Sequence, residues 1–439
     1  MLRVTLIAIV FGIVFVQLVL RRFRSAPHGA APPGPPRKWL LGNLLDLPKV
    51  RPWETYQAWC AQYGDVIYLE LPSRPIIILG TVKAATALLN GRSNVYSGRA
   101  RSVMRELISW SWSLPSMPYG STWRITRRYF HEHFAGPVIR QYHPIQLKET
   151  RTLLARLADT PERAREHIRS LSGSAIMRVV YGPRTRAQML EYVRLADEGL
   201  ESARRMVVPG AFLAESLPFL KHVPGWMIGG GARRFADKHR PIVQKMRDKP
   251  FEEAKAAMVA GDYVPSIVHN LIRQLQGDNA GLTLEQDRLA RNVAGVAYAG
   301  AAGANTSAVE SFILAMALFP EVQKRGQAEL DLHVGPSRLP DFGDLKSLTY
   351  VKAIVMETLR WLPSAPLGIP HGLTEDDEWN GYRIRKGTMV VPNLWAMLHD
   401  PEDYPEPHNF NPDRFIGSDG LIDTFVRDPR SIAFGFGRR

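Results

Sequence analysis

The chain has 439 residues, 45% of them apolar, one cysteine (Cys60) and a formal net charge of +14. Such a composition supplies a large core and excludes a disordered chain, a disulfide scaffold and a polytopic membrane protein. The charge points to an acidic partner, an anionic membrane surface or an anionic ligand, or to nothing more than a solvated basic surface. A single cysteine suits a reducing compartment.

Val4 to Leu20 (VTLIAIVFGIVFVQLVL) is an almost unbroken apolar run, softened by Thr5, Gly12 and Gln17. At ~1.5 Å per residue it just reaches across a bilayer core, and it exceeds the ~7–15 apolar residues of a cleaved secretory signal. Arg21, Arg22 and Arg24 follow at once, against Arg3 alone in front. That bias predicts an uncleaved anchor over residues 1–24, including its basic stop, with the body on the cytosolic side. Residues 25–38 hold Pro32, Pro33, Pro35 and Pro36 around Gly34, a stiff extended spacer. Residues 39–439 read as one large α-rich domain with a small β part.

In that body, WETYQAWCAQYG has helical periodicity and stops at Gly64, and VIYLEL and PIIIL read as a strand hairpin. From about Thr81 to Leu362 the pattern is mostly helical. WRITRR places Trp123 and Arg127 one helical turn apart. An indole N–H and a guanidinium on one face suit an anionic oxygen ligand, or they form a cation–π or surface pair. His131 and His133 stand two apart, which on a helix turns them away from each other, so they read as ordinary residues.

TLEQDRLARNVAGVAYAGAAGANTSAVESFILAMALF is expected to run as one helix, opened by a Thr283–Gln286 capping box and stopped by Pro320. Its centre is nearly all small residues, and Gly300 and Gly303 each cost ~1 kcal/mol against alanine. Either another backbone packs closely there or a flat ligand does. Asn305, Thr306 and Ser307 bring polar groups onto this apolar element. Thr306 either bonds back to the preceding turn or faces a ligand.

ETLR puts Glu357 and Arg360 three apart on a helix in apolar surroundings, which predicts a buried pair in need of further partners. Arg414 in FNPDRF is the candidate third member. His371, in PLGIPH, lies in an extended segment and can donate to an anion. A second β-rich patch runs from Trp379 to Pro392, with a Lys-Gly turn inside YRIRKGTMVV. The last six residues, FGFGRR, read as a tight turn that presents cations.

In order, the chain carries an apolar anchor, PPGPP, WRITRR, AGANTS, ETLR, PLGIPH, FNPDRF and FGFGRR. Over nearly its whole length it resembles a cytochrome P450, specifically a fungal microsomal one. The resemblance implies a mainly α fold with a small β part, an N-terminal transmembrane helix and a haem cofactor. It implies electrons from NADPH through a membrane-bound reductase, an apolar small-molecule substrate, residence in the endoplasmic reticulum membrane and no nucleic-acid partner. Trp123, Arg127 and His371 match the donors to the haem propionates. Glu357, Arg360 and Arg414 match the structural triad behind the haem. Ala302, Gly303, Asn305 and Thr306 match the oxygen-activation groove, and Phe434, Gly437 and Arg439 match the haem-binding loop.

Two departures follow. The family usually carries an acid where this chain has Asn305, which implies weaker coupling of oxygen to substrate oxidation, measurable as peroxide released per reductant consumed. The family's loop also continues to a cysteine two positions after the residue matching Arg439, whose thiolate ligates iron. The expectation is a haem domain incomplete at its C-terminus, with Cys60 no substitute. A non-catalytic pseudoenzyme is the alternative, as is a dehydratase or isomerase of the same fold, which Thr306 disfavours.

Overall fold

The computed structural model describes residues 30–39, 41–206, 211–278 and 281–438, except the side chains of Ala301 and Ala302. The expected anchor, the first residues of the proline spacer and Arg439 lie outside the described residues.

The strands are β1 (Val66–Leu69), β2 (Ile76–Leu79), β3 (His371–Gly372), β4 (Asp377–Trp379), β5 (Tyr382–Ile384) and β6 (Met389–Pro392). β1 and β2 form the expected antiparallel hairpin, with Val66 opposite Leu79. β2 then pairs in parallel with β6, and β3 pairs antiparallel with β6, giving the order β1-β2-β6-β3. Both faces of β1 and β2 are covered. Val66, Tyr68, Ile77 and Leu79 pack toward Leu394 and Phe415, whereas Ile67, Leu69, Ile76 and Ile78 pack toward Tyr56. Coverage on both sides is why these strands read as continuous apolar runs rather than alternating ones. The two runs flanking Lys386–Gly387 join different sheets: β5 pairs with β4, and β6 with β2. Gly387, at φ 83°, turns the chain between them.

The longer helices are α1 (Pro52–Tyr63), α2 (Ser121–Phe134), α3 (His143–Asp159), α4 (Ala164–Tyr181), α5 (Arg186–Met206), α6 (Gly231–Val259), α7 (Ile267–Gln276), α8 (Leu284–Leu318), α9 (Pro320–His333) and α10 (Thr349–Trp361). α8 is the expected single helix of 35 residues. Thr283 Oγ1 accepts from the Gln286 N–H, and Gln286 Oε1 accepts from the Thr283 N–H, closing the capping box. The first half of α8 runs through the helical core against α4, α5, α6 and α7. Ala290, Val293, Ala294 and Tyr298 are fully buried there. Small side chains let these neighbours approach: a Cβ on Gly295 would stand 2.8 Å from the Trp112 ring.

Candidate functional site

The most completely satisfied charges are those of the ETLR helix. On α10, Arg360 donates to both oxygens of Glu357, Nε to Oε2 at 2.7 Å and Nη2 to Oε1 at 2.8 Å. Both residues are 0% exposed. Arg360 also donates to the carbonyls of Leu398 (3.0 Å), Pro407 (2.7 Å) and Asn409 (3.2 Å). Arg414 reaches Glu357 Oε1 at 3.3 Å, and the Asn411 N–H reaches the same oxygen at 2.8 Å. Two guanidiniums and a backbone amide around one carboxylate offset its desolvation, which a bare ion pair would not. This cluster pins the irregular segment 398–414 onto α10.

The FGFG turn follows a short helical turn, Arg430–Ala433, that packs against α10. Gly435 and Gly437 have φ of 84° and 82°, where a Cβ is strained. Their left-handed conformations turn Phe436 into the core beside Leu88 and Leu394, while Phe434 is 74% exposed. The Gly437 N–H donates to Asn90 Oδ1 at 2.5 Å, and Arg438 Nε donates to Ser93 Oγ at 2.8 Å. A Cβ on Gly437 would stand 2.9 Å from the Leu89 carbonyl oxygen and 3.6 Å from the His371 ring. His371, buried on β3, holds its Nδ1 2.9 Å from the Tyr96 carbonyl oxygen, so that nitrogen carries the proton and donates. β3 is tied to the 98–100 segment, where the Gly372 N–H donates to the Gly98 carbonyl at 2.9 Å.

From this turn, contacts lead to α2. Arg438 Nη1 donates to the Tyr119 hydroxyl at 3.3 Å, and the Tyr119 and Trp123 rings are 5.2 Å apart. The hydrogen bond from Arg438, with Arg124 nearby, draws the Tyr119 hydroxyl below its ordinary pKa. Trp123 is buried, whereas Arg127, one turn on, is half-buried and makes no hydrogen bond or ion pair among the described residues. His131 is exposed and His133 half-buried on the same helix.

The middle of α8 completes the surroundings. Cβ atoms built on Gly300 and Gly303 would meet nothing within 4 Å. Among the described residues, no other backbone approaches these two glycines. The helix stays regular through Asn305 and the half-buried Thr306, and Ser364 Oγ donates to the Ala304 carbonyl at 3.1 Å, tying this stretch to the exit of α10. The backbone of Ala302 continues the helix, and its side chain lies outside what is described.

The structure thus brings Trp123, His371 and Gly437 to one region through Tyr96, Tyr119 and Arg438, and sets Glu357, Arg360 and Arg414 apart as a cluster of their own. Asn90, Ser93, Tyr96, Tyr119 and Arg438 were not singled out from the sequence. The cradle at Gly437 and the inward-facing donors fit the edge of an anionic planar group. Cys60 does not fit the iron of such a group. It lies on α1, its Sγ 2.5 Å from where a Gly80 Cβ would stand, and burial first, then Asp65, pushes its thiol up to about 12. A thiol so held stays protonated and is a poor ligand.

The cytochrome P450 family model matches residues 32–439. Cytochrome P450 monooxygenase 98 of Postia placenta is 39% identical over 429 residues, 97% of this chain and 81% of that protein. Cytochrome P450 monooxygenase ple1 of Rhodocybe pseudopiperita is 39% identical over 413 residues, 93% of this chain and 78% of that protein. Tryptamine 4-monooxygenase of Psilocybe cyanescens is 39% identical over 424 residues, 95% of this chain and 82% of that protein. One continuous match takes in the sheet, the long helix, the buried arginine cluster and the glycine turn, and the chain belongs to the cytochrome P450 family, a monooxygenase by that membership.

Proposed function

We propose that the open face of α8 and the Gly437 cradle are the two sides of a haem seat, in a membrane-anchored enzyme that oxidises an apolar organic substrate. The observation that carries this is the empty space over Gly300 and Gly303 in a helix whose earlier half is tightly packed. Haem, when bound, supplies dioxygen activation and transfer of one oxygen atom, fed with electrons from NADPH through a reductase. The Trp123 indole, the Arg127 guanidinium and His371 would hold the propionates, and Arg439 would join them. The buried cluster at Glu357 keeps segment 398–414 fixed and takes no part in proton movement. Thr306 would pass protons toward the groove, and the Asn305 amide would orient water without donating an acidic proton. The tryptophans of the 101–117 stretch suit a lipid-like, terpenoid or aromatic substrate. Tryptamine 4-monooxygenase, by its name, acts on an aromatic amine.

Cys60, packed against Gly80 and kept protonated by burial, favours a second reading: it is not the ligand of the haem iron. Reconstitution with haem, followed by the carbon-monoxide difference spectrum, tests both readings. The expected result is haem uptake weakened by Trp123→Phe and by His371→Gln, with no thiolate-type Soret band. A thiolate band that vanishes in Cys60→Ser would overturn the placement of Cys60. Uptake indifferent to Trp123 and His371 would overturn the seat.

A further inference from the structure

The buried His371 ring has two nitrogens, and the structure fixes the role of one. Nδ1 lies 2.9 Å from the Tyr96 carbonyl oxygen, which can only accept, so Nδ1 carries a hydrogen. That acceptor is held still. Tyr96 is fully buried, and its hydroxyl donates to Asp377 Oδ2 at 2.9 Å. Asp377 also accepts from Arg92 Nη1, at 2.8 and 2.7 Å. Just ahead of Tyr96, the Val95 carbonyl accepts from both the N–H and the hydroxyl of Thr374, each at 3.0 Å. Beyond it, a Cβ on Gly372 would stand 2.6 Å from the Ala100 nitrogen. Residues 95–100 and β3 are thus clamped together on both sides of His371. Moving the hydrogen from Nδ1 to Nε2 would set a lone pair against a buried carbonyl and lose its bond.

The consequence falls on Nε2. While the ring is neutral, Nε2 offers a lone pair, and an ionised carboxylate also only accepts. The two repel until Nε2 gains a proton. Cε1, the ring atom between the nitrogens, lies 3.6 Å from where a Cβ on Gly437 would stand, at the turn taken above as one side of the haem seat. The charged groups on the surrounding elements are mostly cationic. Arg99 donates to the carbonyls of Ile369 at 2.7 Å and Pro370 at 2.8 Å, just ahead of His371. Arg438 stands on the glycine turn, with the Tyr119 hydroxyl beyond it. Arg92 and Asp377 are engaged with each other, and β6 brings the uncharged Met389 and Val390. A buried imidazole among guanidiniums holds a charge at a cost, which an arriving carboxylate offsets.

We propose that His371 captures a haem carboxylate together with a proton, and that the Tyr96 carbonyl is the positioning group that enforces the coupling. This rests on the haem seat proposed above. One proton passes from solvent to Nε2, and the new Nε2–H donates to the carboxylate while Nδ1–H stays on Tyr96. Nothing is oxidised or reduced. The seat's other donors, Trp123, Arg127 and Arg439, keep their protonation near neutral pH. The imidazolium is favoured in the complex, so its contribution is full at low pH. It is lost as pH rises from about 6.5, the ordinary histidine value, to the higher value that the bound carboxylate imposes.

Quenching of tryptophan fluorescence in the full 439-residue chain, in detergent, gives the affinity for haem and for haem dimethyl ester, which has no carboxylates. Iron chemistry is common to both, so the ratio of the two affinities isolates the carboxylates. Between pH ~6.5 and ~8.5 the ratio should fall with rising pH, by up to about tenfold per unit. His371→Gln donates from a neutral amide and should give a level ratio. Tyr119→Phe should keep the slope of the parent, which separates His371 from the Tyr119 hydroxyl. The slope in the parent needs no variant, so a poorly folded variant does not remove the test. A level ratio in the parent, a slope that survives His371→Gln, or a slope that disappears in Tyr119→Phe would each overturn the coupling. A level ratio with uptake still dependent on Trp123 sinks the coupling alone. A parent that binds neither porphyrin at any pH sinks the haem seat and the coupling with it.

Discussion

Two groups of cationic side chains, one around Glu357 and one around the glycine turn, are built on opposite rules. Around Glu357, every charge is met by the chain itself: Arg360 and Arg414 have a carboxylate and four backbone carbonyls, those of Leu398, Pro405, Pro407 and Asn409. Around the glycine turn, Arg127 is left without a described partner and the α8 glycines face open space. The first arrangement is complete as a protein, and the second leaves room beside α8 among the described residues. Charge alone does not separate structural from functional arginines. The separation lies in whether the backbone supplies the acceptors.

That contrast can be broken at its strongest point first. Glu357→Gln leaves two buried guanidiniums around a neutral amide and should cost about 3–5 kcal/mol, a large share of the ~5–15 kcal/mol of a typical folded domain. Urea titration of the purified chain, or loss of soluble protein, would register it. A loss under 1 kcal/mol would mean that segment 398–414 is held by something else. Gly300→Ala should act the other way and stabilise the haem-free chain by ~1 kcal/mol, because the helix gains a better former and the new Cβ meets no atom. The same methyl should lower haem uptake if the space is the haem's. A destabilised haem-free chain would show that the space is already filled. Smallest in stability is Arg127→Gln, within ~0.5 kcal/mol as for an ordinary surface change. Its haem should nevertheless dissociate faster, as read by transfer to apomyoglobin, and an unchanged off-rate would remove Arg127 from the seat.

The buried pair was legible in the sequence because its geometry is local: three residues apart on a helix in apolar company. The 35-residue helix was equally readable from its capping box and Pro320. The dihedral need of the FGFG turn could be guessed from glycine alone, but what it closes on could not. Its partners Asn90, Ser93 and Tyr119 lie 347, 345 and 319 residues away from Gly437 and Arg438, and nothing local marks a polar residue as the far half of such a contact. The strand runs around Gly387 show the same limit. Alternation and turn chemistry identified both, but their division between two sheets depends on which faces find cover, a tertiary matter.

The parallel pairing of β2 with β6 has a consequence for how the protein is made. Ile76 meets Met389 across more than three hundred residues of chain. At ~5–20 residues per second, a ribosome needs about 15–60 s between the two strands. Throughout that interval the hairpin of β1 and β2 presents an apolar edge with no strand to pair it, the kind of edge that recruits other chains. This makes it the step most in need of a chaperone, and the late arrival of β6 is what ends the exposure.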